Sequence, residues 1–205
     1  MEGKFKISEK DGKILVRTAR RIVTEFLKNK IRIQMEKEFQ ENFSFKAGVF
    51  VTLNTSIGLR GCIGYPLPDK KLFNALEDAA ISAAIEDSRF PPVKLEELDS
   101  ITFEVTVLTP PIKIKVNDPK EYLSKIEVGR DGLIVKYDYS SGLLLPQVPI
   151  QYGWNEQEFI EHTCEKAGLP KDYWKNLETE IKKFEGIVFK EKEPKGEVIQ
   201  EKLLD

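Results

Sequence analysis

Histidine occurs once in this chain, at His162, and cysteine twice, at Cys62 and Cys164. A disulfide-stapled scaffold is therefore excluded, and one copy of the chain cannot supply four Cys or His ligands to a structural zinc. No carboxylate spacing marks a metal site, and there is no Walker loop, dinucleotide fingerprint or HExxH, so no metal or cofactor is expected. No stretch reaches the ~20 apolar residues of a membrane span, and Met1-Glu2-Gly3-Lys4-Phe5-Lys6 lacks the apolar run of a signal peptide. The cytoplasm is the expected location, without a membrane partner. With 32 Lys plus Arg against 34 Asp plus Glu, the net charge of −2 gives no field that would draw the chain to nucleic acid. Arginine is also scarce: seven of the 32 basic residues, against 32 − 7 = 25 lysines.

What is present is an ordinary balance for a protein with a core, 40% hydrophobic and 32% charged over 205 residues. Asp11 is placed to cap a first helix in which Leu15, Ala19, Ile22, Val23, Phe26 and Leu27 recur at helical spacing. Arg17, Arg20, Arg21 and Lys28 form its solvated face. Gly48–Asn54 and Gly58–Tyr65 read as the two strands of a hairpin. Asp69 then caps a helix lined by Leu72, Leu76, Ala79, Ala80 and Ala83, which must stop before Phe90-Pro91-Pro92. Ile101–Leu108 alternates strictly, with Thr102, Glu104 and Thr106 outward. Asp118-Pro119 opens a short helix, and Gly132–Tyr137 with Leu143–Leu145 makes a second hairpin. Asn155 and Glu158 form a capping box for a helix ending near Gly168, and the stretch Thr179–Phe189 holds a late strand centred on Glu185–Phe189.

The stretch that carries chemistry is Leu59-Arg60-Gly61-Cys62-Ile63-Gly64-Tyr65-Pro66. Strand alternation puts Leu59, Gly61 and Ile63 on a core face and Arg60, Cys62 and Gly64 on the other. A guanidinium beside a thiol favours the thiolate, and the glycines admit a close backbone or a ligand.

Leu59-Arg60-Gly61-Cys62-Ile63-Gly64 resembles the signature hexapeptide of the AMMECR domain family, named after the Alport syndrome, midface hypoplasia and elliptocytosis chromosomal region. Asp87-Ser88-Arg89-Phe90-Pro91-Pro92, Gly129-Arg130-Asp131-Gly132-Leu133, Leu145-Pro146-Gln147-Val148 and Tyr152-Gly153-Trp154 resemble the family as well. The resemblance implies a two-lobed α/β fold of the α+β kind, a largely antiparallel sheet flanked by helices, with the hexapeptide near a cleft. It covers a single domain over residues 1–190; the mostly charged composition beyond that reads as a peripheral arm over 191–205, with Val198-Ile199 as its one candidate contact. It also implies a pathway shared with proteins of the Memo type and the radical S-adenosylmethionine type as candidate partners.

Two chemical readings follow. In the first, Cys62 is a nucleophile and Arg60 its thiolate stabiliser. His162 is not the base, because it points roughly opposite to Cys164 on its helix, and Cys164 belongs to the apolar stripe with Ile160 and Ala167. In the second, Arg60, Arg89 and Arg130, each inside a family-like motif, converge with Gly61, Gly64 and Gln147 on a small anionic ligand. The structural alternative pairs each arginine locally, Arg60 with Glu104, Arg89 with Asp87 and Arg130 with Asp131. The function expected is an enzyme acting on a small anionic substrate with Cys62 and Arg60 in a cleft. The alternative is a non-catalytic module that presents the same cleft to partner proteins, with a nucleic-acid-related regulatory role third.

Overall fold

The computed structural model describes residues 5–201. In chain order these form α1 (Glu9–Asn29), α2 (Lys37–Asn42), β1 (Gly48–Thr55), β2 (Gly58–Tyr65), α3 (Leu72–Ile85) and β3 (Thr102–Leu108). They continue as β4 (Ile112–Lys113), α4 (Glu121–Lys125), β5 (Asp131–Tyr137), β6 (Ser140–Leu144), α5 (Gln147–Tyr152), α6 (Glu156–Lys166), β7 (Glu180–Glu191) and β8 (Val198–Glu201). The fold is mixed α and β, with every paired strand among these residues antiparallel. The chain divides into two compact units, one formed up to Leu108 together with the stretch from Ile187, the other by Thr109–Gly186.

In the first unit β1 is paired with β2 on one side and β3 on the other. Val49, Val51 and Leu53 of β1 and Phe103, Val105 and Val107 of β3 are fully buried on one face. Leu15, Ala19, Ile22 and Val23 of α1 and Leu72, Leu76, Ala79 and Ala83 of α3 belong to the same core. The opposite face, with Phe50, Thr52 and Asn54 on β1 and Thr102, Glu104 and Thr106 on β3, is half-buried. The stretch after residue 190 is not wholly peripheral. Within it β8 pairs with β7 and Val198 joins the first core; residues 202–205 lie outside the described residues.

In the second unit β5 lies between β6 and the first part of β7, and β4 pairs with β7. Its core gathers Ile114, Tyr122, Leu133, Val135, Phe159, Ile160, Cys164, Trp174 and Ile181. Gly142 of β6 lies against the α6 backbone at Lys166 and Ala167, where any Cβ would collide.

Several local expectations change. The first helix is capped by Ser8, whose hydroxyl accepts from the Asp11 N–H, and Asp11 returns the bond as the third helical residue. A capping box needs both members, and Asp11 supplies the inner one. Asp69 caps nothing, since α3 starts at Leu72 behind Lys71 without a side-chain cap. Asp118 accepts from the Lys120 N–H just ahead of α4. Arg20 is not solvated: it is buried, with its Nε donating to Glu191 Oε1 at 2.8 Å and NH1 to the Leu98 carbonyl at 3.1 Å. The short α2 and α5 have no counterpart in the sequence reading, while β7 runs over Glu180–Glu191 and so fills nearly the whole Thr179–Phe189 stretch rather than Glu185–Phe189 alone. Helices this short lack a readable apolar period.

Candidate functional site

The hexapeptide lies along β2, and its alternation is interrupted. Leu53 of β1 faces Gly61 while Asn54 faces Leu59, so Arg60 is the extra residue of a β-bulge. A bulge re-aims the side chain it carries. Leu59, expected in the core, is 40% exposed as a result, whereas Gly61 is buried. A Cβ at Gly61 would overlap the Ala83 carbonyl oxygen, so this glycine lets α3 approach the strand. Gly64 has the same kind of reason on the other face, where a Cβ would meet the Phe50 ring and the Val49 carbonyl.

Arg60 is engaged in a fork with Glu97: Nε donates to Oε2 at 2.9 Å and NH2 to Oε1 at 3.1 Å, while NH1 donates to the Pro91 carbonyl at 2.9 Å. Its partner is thus Glu97 of the 3-10 turn Leu95–Asp99 rather than Glu104. Arg89 pairs with Asp87, as the local reading anticipated, through Nε to Oδ1 at 2.9 Å and NH2 to Oδ2 at 2.7 Å. Asp87 is buried, and its Oδ2 also accepts the Cys62 N–H at 2.8 Å. Arg89 NH2 reaches back to the Cys62 carbonyl at 3.3 Å. Two separate motifs, one on β2 and one after α3, are therefore locked together around the Cys62 peptide. These bonds to Arg89 and two backbone N–H groups hold the Asp87 carboxyl well below its ordinary range.

Cys62 is half-buried and unbonded to Cys164. Its Sγ lies 3.4 Å from the Thr52 hydroxyl, which stands directly opposite in the strand register. Thr52 in turn faces Glu104 on β3. Burial pushes the Cys62 thiol up, with relief from the Thr52 hydroxyl and the Arg89 charge and opposition from Glu104 and Asp87. Burial also raises the Glu104 carboxyl, abetted by Glu201 and eased by Lys190 and the Thr52 hydroxyl. The resting pair is thus a neutral thiol and a carboxyl that keeps its proton more readily than a free glutamate. The Arg60 guanidinium, forked onto Glu97, makes no hydrogen bond to the thiol.

Arg130 and Gln147 belong to the second unit. Arg130 makes the expected fork with buried Asp131, Nε to Oδ1 at 2.9 Å and NH2 to Oδ2 at 3.0 Å, and also pairs with Glu127. Gln147 is exposed at the start of α5. His162 stacks on Trp154 at 3.9 Å between ring centroids and meets Glu165 through Nδ1 at 2.7 Å. Cys164 is fully buried, as its helical stripe required. Among the described residues, no helix is long and apolar enough to cross a membrane, and no cluster of three or more His, Cys, Asp or Glu side chains could hold a metal.

Thr52, Asp87, Glu97 and Glu104 were missed as site residues. Counting the hairpin register back from the Ser56-Ile57 turn would have put Val51 opposite Cys62; the bulge at Arg60 shifts the register by one and brings Thr52 there instead. Glu104 lies on a strand that pairs with β1 across a long sequence gap, and that pairing has no local signal.

The chain is thus a mixed α/β protein of two units, with a half-buried cysteine on the β1–β2 hairpin. The chain belongs to the AMMECR1 family, whose family model matches residues 16–189. It is 54% identical to Protein MJ0810 of Methanocaldococcus jannaschii, over 95% of this chain and 96% of that one. It is 50% identical to Protein PYRAB00100 of Pyrococcus abyssi, over 97% of this chain and 99% of that one. The crystal structure of the uncharacterized protein PH0010 from Pyrococcus horikoshii matches with a TM-score of 0.83 at 48% identity, covering 97% of this chain and all of that one.

Proposed function

We propose that this AMMECR1-family protein is an enzyme acting on a small anionic substrate, with Cys62 as nucleophile. The observation that carries this reading is the line Cys62, Thr52, Glu104 across three adjacent strands, with a thiol-to-hydroxyl distance of 3.4 Å. In the proposed step the Cys62 sulfur attacks an electrophilic acyl carbon. Its proton passes to the Thr52 hydroxyl as that hydroxyl's own proton moves to the Glu104 carboxylate, and the leaving group takes the proton back as a thioester forms. The anionic part of the substrate is held by Arg89, whose side chain is 55% exposed and whose NH1 has no hydrogen-bond partner among the described residues. Arg60 serves as a clamp between β2 and the Pro91–Glu97 segment and does not activate the thiol.

Alkylation of Cys62 tests this directly. Iodoacetate and iodoacetamide differ in charge, so their rate ratio, referred to the same ratio on free cysteine, reports an anion subsite. The ratio should favour iodoacetate in the native protein and lose that preference in Arg89→Gln, while Thr52→Val should slow both reagents at neutral pH. A ratio equal to that of free cysteine, with no effect of Thr52→Val, would refute the proposal. The second reading, a non-catalytic interaction module, is favoured by Tyr152, 68% exposed and stacked on Trp154 at 4.8 Å. An aromatic face open to solvent is a common anchor for a protein partner. Tyr152→Ala should abolish partner capture under that reading and leave Cys62 alkylation unchanged.

A further inference from the structure

We infer that the second unit holds a binding site for a small ligand bearing two or more phosphate groups, in a cavity of about 460 Å³. Its charged lining is Lys113, Lys115, Lys125, Arg130 and Lys183, with Glu127 as the one acid among them. Two of the ammonium groups are fixed by the backbone. Lys183 Nζ donates to the Lys125 carbonyl at 2.7 Å and to Asp131 at 3.0 Å; Lys125 Nζ donates to the Lys115 carbonyl at 2.7 Å and to Glu121 at 3.0 Å. An ammonium has three donors, so each keeps one for a ligand. Lys115 makes no ion pair among the described residues, and the Lys113 ammonium is 3.9 Å from Glu180, its one ion-pair partner there.

The chemistry selects phosphate over a simple carboxylate. The only guanidinium in the lining has its fork filled by Asp131, so planar bidentate recognition is taken, and what remains are separated ammonium point charges suited to phosphate oxygens. Four of the five cations already face an acid of their own, so the charge left for a ligand is that of Lys115, of the loosely paired Lys113 and of the free donors on Lys125 and Lys183, which a multiply charged anion can bridge. The volume falls in the range of small-molecule sites, roughly 300–1,000 Å³. None of these residues belongs to the Cys62, Thr52, Glu104 line, so the inference stands apart from the thiol reading.

Titration calorimetry of the full chain with sodium tripolyphosphate at low ionic strength tests it. Binding should saturate at one site and weaken steeply with added salt. Lys115→Glu should weaken it by about tenfold or more, Lys115→Gln by less, and Lys10→Glu on exposed α1 should leave it unchanged. Lys115 is exposed, so its variants fold, and thermal unfolding confirms this. No saturable heat up to millimolar tripolyphosphate would overturn the proposal. So would an unchanged affinity in Lys115→Glu, or a short RNA that binds about tenfold more tightly than tripolyphosphate, which would make the surface a nucleic-acid contact instead.

Discussion

Replacing Gly61 with alanine separates a packing role for the hexapeptide glycine from a ligand-admitting one. The added Cβ would overlap the main-chain oxygen of Ala83 on α3 and lie 3.2 Å from its carbonyl carbon. The obstacle is helix backbone, so no rotamer change relieves it. The helix must back away from the strand by on the order of 1 Å, which forfeits a quarter to a half of the dispersion energy where Leu72, Leu76, Ala79 and Ala83 pack. Overpacking of this kind costs about 1–3 kcal/mol, and a backbone obstacle places Gly61→Ala at the upper end, about 3 kcal/mol. For a chain of this size the melting temperature should fall by about 6–12 °C. Gly58 is the control: its φ is +126° with nothing within 4 Å of an added Cβ, so Gly58→Ala carries backbone strain alone, about 1–2 kcal/mol. Thermal unfolding followed by far-UV circular dichroism reads both. Ala83→Gly should not rescue Gly61→Ala, because the clash is with an oxygen that every residue possesses. Rescue by that second change, or a Gly61→Ala melting point equal to wild type, would refute the reasoning.

Other expectations follow from the ion pairs and thiols. Glu191 is buried, accepts from Arg20 Nε and from Arg17 NH1 at 2.9 Å, and takes the Phe103 N–H at 3.1 Å; Glu191→Ala leaves Arg20 buried without its partner and should cost about 3–5 kcal/mol in denaturant unfolding. Asp87 has a folded pKa held below its unfolded value, so its stabilisation is complete above about pH 4 and is lost as pH falls below that. Asp87→Asn should therefore be less stable than wild type at pH 7 and show a shallower acid limb; parallel acid limbs would contradict the lock around the Cys62 peptide. Cys164, fully buried and with its thiol pushed up to about 11, should resist iodoacetamide in the native state. Cys62 should label with a rate still climbing above pH 9, since its thiol is also raised. Equal labelling of both thiols by mass spectrometry would contradict their placement.

Where local chemistry decides structure, the sequence was sufficient. The strict alternation of Ile101–Leu108 and the hairpin of β1 and β2 follow from apolar period and turn residues, and Asn155 with Glu158 caps α6 because a capping box is complete within four residues. Cys164 is buried because helical spacing carries it onto the stripe of Phe159 and Ile160. The pairs Arg89–Asp87 and Arg130–Asp131 were legible because their members are neighbours in the chain. Tertiary structure alone decided the rest. The bulge at Arg60 depends on the register with β1, which turned its guanidinium to Glu97 and took it away from the thiol. Arg20 looked like one more solvated helix cation, yet it is buried against Glu191, 171 residues away. The alignment of Cys62, Thr52 and Glu104 exists only because β3 pairs with β1 after α3 intervenes, and the gathering of lysines in the second unit requires β4, α4 and β7 to meet. A side-chain period is a property of one segment, whereas which segments become neighbours is set by the burial of the whole core.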